Sequence, residues 1–163
     1  NGDGNGQIDF IAGDSATYGE RFLGWQHLAR AGLIEGSYTG ATTTAAAFAV
    51  TPGTNVPRSK MADGNFRLAA LAIAVSGDTN FYDGTYGFNL FEVTGTSSPL
   101  LKSEELWNID TKLDDGRPAT GSIFTHKNTS AYSPACATTD VVSTAAYSLN
   151  TTAKSCVANI ALR

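Results

Sequence analysis

Hydrophobic and polar positions change rhythm along the chain, and each change marks a segment. Residues 1–40 read as a polar loop followed by one helix. Phe22, Trp25, Leu28 and Ala29 recur at helical spacing and define an apolar face. Thr17-Tyr18-Gly19-Glu20 has the form of a capping box, in which hydroxyl and carboxylate satisfy the free N–H groups of a first turn. Gly32 suits the left-handed position just past the last turn, with Leu33 placed to fold back onto the helix. The spacing predicts a helix over about 17–31, whose Phe22 and Trp25 must be buried on a sheet or on another helix.

Over 41–95 the pattern shortens to β-prone runs broken by turns. Thr44–Val50, Phe66–Val75 and Tyr86–Val93 are the strand candidates, separated by Pro52-Gly53, Gly77-Asp78 and Asp83-Gly84. Phe88, Leu90, Phe91 and Val93 alternate imperfectly, so at least one strand should be covered on both faces. The segment 98–116 carries a second helix, about 103–113. Ser103 can cap it, Glu104 and Glu105 favour its positive end, and Leu106, Ile109 and Leu113 face one way. Asp114-Asp115-Gly116 stops it. Residues 117–163 offer strands near Gly121–Thr125, Ala145–Leu149 and Val157–Leu162. The order helix, sheet, helix, sheet indicates a single α+β domain over 1–163, built on an antiparallel sheet with two short helices.

Composition narrows the class. Charged residues are 16% of the 163-residue chain, against a usual share of about 25%. The polar balance falls to 20 Thr, 13 Ser, 10 Asn and 17 Gly, a composition suited to β-rich proteins outside the cytoplasm. A net charge of -4 leaves no basic patch, which excludes nucleic acid as the main partner. No apolar run approaches the ~20 residues that cross a bilayer. Cys136 and Cys156 have neither a CxxC nor a metal-ligand spacing. A disulfide in an oxidising compartment is the expectation, and two buried free thiols are the alternative.

Two candidate sites follow from motifs. Asn1-Gly2-Asp3-Gly4-Asn5-Gly6-Gln7-Ile8-Asp9 has the spacing of an EF-hand calcium loop, with Asn1, Asp3, Asn5, Gln7 through its carbonyl, and Asp9 as ligands. Position twelve is Ala12, not the usual bidentate glutamate, so affinity should be modest. Gly13-Asp14-Ser15 is similar to the nucleophile block of the Gly-Asp-Ser esterases, with Ser15 in the nucleophile's place. That family's Asp-x-x-His block is missing, because His27 and His126 follow Gly24 and Ile123 at that spacing. Both histidines read as surface or hydrogen-bonded residues. Asp110, Asp114 and Asp115 read as a helix end with a solvated turn, balanced by Lys112 and Arg117. Nothing here makes an enzyme, and Asn128-Thr129-Ser130 and Asn150-Thr151-Thr152 match the glycosylation pattern at chance frequency.

Several segments together resemble the soluble region of the type IV pilin and pseudopilin family. They are Asn1–Gly6, Trp25–Gly36, Asn55–Lys60 and Trp107–Pro118, closed by the pair Cys136 and Cys156. The resemblance implies a pilin-like globular head whose C-terminal loop is closed by that pair. It implies a non-enzymatic structural subunit of an extracellular or cell-surface filament, assembled from the inner membrane and periplasm. The partners would be other pilin or pseudopilin subunits. Contact with the membrane would come only through the family's long apolar helix, which would precede Asn1.

Overall fold

The computed structural model describes residues 8, 19–41, 50–61, 63–70, 86–92, 98–125, 135–139 and 141–162. Helix α1 spans Glu20–Arg30 and is followed by strands β1 (Gly64–Ala70), β2 (Tyr86–Glu92) and β3 (Leu101–Lys102). Helix α2 (Ser103–Leu113) follows β3 without a break, and β4 (Ile123–Phe124), β5 (Lys154–Cys156) and β6 (Ala158–Ala161) complete the order. A four-stranded sheet runs β1-β2-β6-β4 with every pairing antiparallel, and β3 pairs with β5 in a second small sheet. The architecture is α+β with antiparallel sheets, and Cys136 is bonded to Cys156, with Cα atoms 5.1 Å apart. No helix of the described residues is long and apolar enough to cross a membrane.

Helix α1 begins three residues later than the predicted 17–31 range. Gly19 is its extended N-cap and makes no side-chain cap bond, while its carbonyl takes the N–H groups of Phe22 and Leu23. Glu20 is therefore the first helical residue, where its charge meets the positive end of the helix. Thr17 lies outside the described residues. The other end matches the expectation: Gly32 has φ +70°, Gly32 N–H donates to Ala29 and Leu33 N–H to Leu28, which is a Schellman closure. Its usual apolar contact is missing, because Leu33 is 71% exposed.

The partner of the α1 face is the sheet. Register pairs Phe66 with Leu90 and Leu68 with Phe88, so their side chains share one face. Phe22, Trp25, Val56 and Leu68 form a buried cluster there, with Phe88 packed against it. The Trp25 ring stacks on Phe88 with centroids 5.5 Å apart. Gly24 permits this approach, since a Cβ on it would lie 2.6 Å from the Leu68 Cδ1.

The expectation that one strand is covered on both faces holds for β2. Leu90 is buried on the α1 side, and Asn89 and Phe91 are buried on the other. That second face carries a polar chain: the Arg67 guanidinium donates to Asn89 Oδ1, and Asn89 Nδ2 donates to Asn159 Oδ1. Arg67 also lies 5.0 Å over the Phe91 ring.

A second cluster gathers Leu100, Leu101, Leu106, Ile123, Tyr147 and the disulfide, and Phe66 packs against both clusters. Helix α2 has the predicted bounds, but its cap and face differ. Lys102 is the N-cap, its N–H donating to the Glu105 carboxylate at 2.8 Å. Ser103 is buried inside the helix, its hydroxyl 2.9 Å from that of Ser155. The buried positions are Ser103, Leu106 and Asp110, with Ile109 partly buried against the core, whereas Leu113 in the last turn is 74% exposed.

The tail also departs from the pattern. The predicted Val157–Leu162 strand corresponds to β6 alone, and Val157 separates it from β5, an unpredicted strand that joins a different sheet. Ala145–Leu149 contributes only an isolated bridge from Tyr147 to Ala137, because Leu149 N–H turns back to Tyr147 and Thr151 N–H to Ser148. The expected strand residues 44–49, 71–75 and 93 lie outside the described residues.

Candidate functional site

A concentration of polar groups forms where α2 ends. Asp114 N–H closes the helix on the Asp110 carbonyl at 2.7 Å, and Gly116 at φ +71° turns the chain so that its N–H donates to Asp110 Oδ1 at 3.0 Å. Asp114 Oδ2 then accepts the N–H groups of Ser122 and, at 2.8 Å, Ile123. Gly121 is required for that cradle: it has φ +78°, and a Cβ there would come 2.0 Å from Asp114 Oδ2. Asp115 accepts the Arg117 N–H at 2.8 Å and the Thr120 hydroxyl at 2.5 Å.

The turn is joined to the disulfide loop through Asp110. Tyr147 donates its hydroxyl to Asp110 Oδ2 at 2.6 Å, and Asp110 is fully buried. The solvated helix end expected from the sequence is therefore wrong for this residue. Burial is the main cause raising the Asp110 carboxyl above its ordinary range. The Tyr147 and Gly116 hydrogen bonds oppose it, and the charges of Asp115 and Asp114 add to it. Tyr147 is pushed well above the usual phenol range, by burial first and then by Asp110.

One oxygen from each of Asp110, Asp114 and Asp115 lies within 4.8 Å of the others, close enough for a metal ion to bridge. Asp110 and Asp115 spend both oxygens on donors of the protein and Asp114 holds two N–H groups, so the cluster is satisfied as a polar turn. We assign no ion to it.

Two recesses flank these elements. A cleft of about 470 Å³ is lined by Trp107, Gly116, Arg117, Tyr147, Leu149 and residues 143–146. Arg117 donates from Nη2 to the Ser143 carbonyl at 3.0 Å on its wall. An apolar groove of about 310 Å³ beside α1 is lined by Trp25, Ile34, Glu35, Tyr38, Pro57, Phe66 and Phe88. Among the described residues the buried Trp25 indole N–H has no hydrogen-bond partner. In α1 Arg21 is buried, and burial followed by the Arg67 charge lowers its guanidinium to about 10, which leaves it a cation at neutral pH.

The residues predicted for sites divide unevenly. Cys136 and Cys156 are brought together as expected. His27 is exposed on α1, in keeping with a surface histidine. The calcium-loop residues Asn1, Asp3, Asn5, Gln7 and Asp9 lie outside the described residues, as do Ser15, His126 and Asn128. Sequence reasoning missed the Asp110–Tyr147 pair. The signal was Asp110's helical phase, four residues after Leu106 and seven after Ser103, on the buried stripe.

Fold and site together define an α+β domain with a helix on an antiparallel sheet and a disulfide-closed C-terminal loop. No family model matches this chain, no curated protein matches it, and no solved structure matches it.

Proposed function

We propose that this chain is the globular head of a pilin-like filament subunit, displayed on a surface pilus or a short periplasmic pseudopilus. The observation that carries the reading is a helix packed on an antiparallel sheet, with a separate C-terminal loop closed by Cys136–Cys156. Trp25–Gly36 runs through α1 and its glycine closure, and Trp107–Pro118 through α2 and its acidic turn. In this reading the head is structural and non-catalytic, and its partners are other pilin or pseudopilin subunits. The polymerising element is an apolar helix joined to the head before Asn1, and assembly starts at the inner membrane. A low-charge, hydroxyl-rich composition with a covalently stapled loop suits a subunit exposed to shear and proteases.

The test is immunogold electron microscopy of source cells and their shear fraction, with antibody raised against this chain. Label along filaments, or on envelope-spanning stubs, supports the reading; label confined to secreted, unassembled protein overturns it. Calcium, in this reading, sits in the opening loop at Asn1, Asp3, Asn5, Gln7 and Asp9 and steadies the head. A calcium-dependent rise in Tm is the expected result, and an unchanged Tm at millimolar calcium removes the ion from the account.

A further inference from the structure

We propose that Asp110 is a pH-sensitive latch, which ties the disulfide loop to α2 more tightly in mild acid than at alkaline pH. The carboxyl stands where three pieces of chain meet: the last turns of α2, the 114–122 turn and the loop between Cys136 and Cys156. It receives one donor from each of the latter two, Gly116 N–H at 3.0 Å and Tyr147 O–H at 2.6 Å. No part of it reaches solvent. A carboxylate in that position gives up its hydration, and two hydrogen bonds replace only part of it.

The charged and titratable groups facing it sharpen the balance. Asp114 and Asp115, from the turn, each bring a carboxylate oxygen within 4.8 Å. Tyr147, from the loop, is held in its neutral form by burial and by Asp110 itself. Arg117 belongs to the same turn, but its Nη2 is directed to the Ser143 carbonyl. Burial and two like charges thus favour the acid form, and two donors favour the anion; burial is the largest cause and the net displacement is upward. As an acid, Asp110 keeps one oxygen for Gly116 and shares its proton with the Tyr147 hydroxyl oxygen, so the joint stays bonded without a buried charge.

The sign follows from linkage. The folded carboxyl binds its proton more tightly than the unfolded one, so the extra stability is fully present below the unfolded value, about 3.9. It is lost as pH rises through the raised folded value. Asp110→Asn should cancel this dependence while keeping an oxygen acceptor.

The experiment compares the whole protein and Asp110→Asn by Tm and by amide exchange over pH 3.0–8.5, exchange being corrected for its intrinsic rate. The amides of Thr138, Ala145 and Ser148, which bond within the disulfide loop, report the joint. In the parent protein their protection should fall about tenfold for each pH unit that separates the unfolded and folded midpoints of the carboxyl. In Asp110→Asn it should stay flat, and the variant's Tm should overtake the parent's toward alkaline pH. A variant less stable at every pH, with the parent's pH slope intact, overturns the latch. Should the variant not fold, the carboxyl ¹³C titration of Asp110 in the parent decides: a midpoint well above about 3.9 supports the proposal, and one at or below it overturns it.

Discussion

The two helices are the same length, yet they are held to the molecule by different means. Helix α1 rests on the sheet through one apolar contact surface, with Phe22 and Trp25 inserted between Leu68, Val56 and Phe88. Its N-cap is a glycine, which offers no side-chain cap, and an open apolar groove runs beside it. Helix α2 buries a narrower stripe, but each end is tied by polar bonds to chain far away in sequence. Ser103 meets Ser155 at one end and Asp110 meets Tyr147 at the other, around a disulfide. Apolar burial is non-directional and tolerates sliding; hydrogen-bonded and covalent ties fix register. The contrast assigns α1 to bulk stability and α2 to holding the C-terminal loop in place.

The largest effect that would break this comparison comes from the apolar side. Phe22→Ala removes a fully buried ring from the α1 cluster and should cost about 3–5 kcal/mol by chemical denaturation. A cost under about 1 kcal/mol would mean that α1 is not held by that contact. Next is the covalent tie. Replacing both Cys136 and Cys156 by serine should cost about 3 kcal/mol and raise exchange of the Ser148 and Thr138 amides far more than exchange in β1 and β2. Uniform loss across the sheet would contradict the division of labour.

Smaller again is Tyr147→Phe, which deprives the buried Asp110 of one donor and should cost about 1–3 kcal/mol, with loosening centred on the disulfide loop. The smallest is Leu33→Ser, at the exposed residue after α1: stability should change by less than about 0.5 kcal/mol, and a larger loss would reveal a packing role for the Schellman residue.

These elements also show where sequence reasoning works. The bounds of α2 were legible because paired glutamates, the Leu106–Ile109 spacing and Asp114-Asp115-Gly116 all act within the helix itself. Gly32 and the core of β2 were legible for the same local reason. β3 was not, since two residues become a strand only by pairing with β5, more than fifty positions later. The roles of Ser103 and Asp110 were misjudged because serine at a helix start and aspartate near its end are favourable when solvated. Their partners, Ser155 and Tyr147, arrive only through tertiary packing. Leu33 and Leu113 erred the other way: local geometry offered each an apolar contact that the fold does not supply.

The central claim is that this head belongs to a membrane-assembled filament subunit, and intact-mass measurement with N-terminal sequencing of the native protein tests it most directly. The account predicts additional chain before Asn1, including an apolar helix of about 20 residues or more that begins at a methylated aromatic residue. A native protein that begins at Asn1, or directly after an ordinary secretory signal, would contradict it.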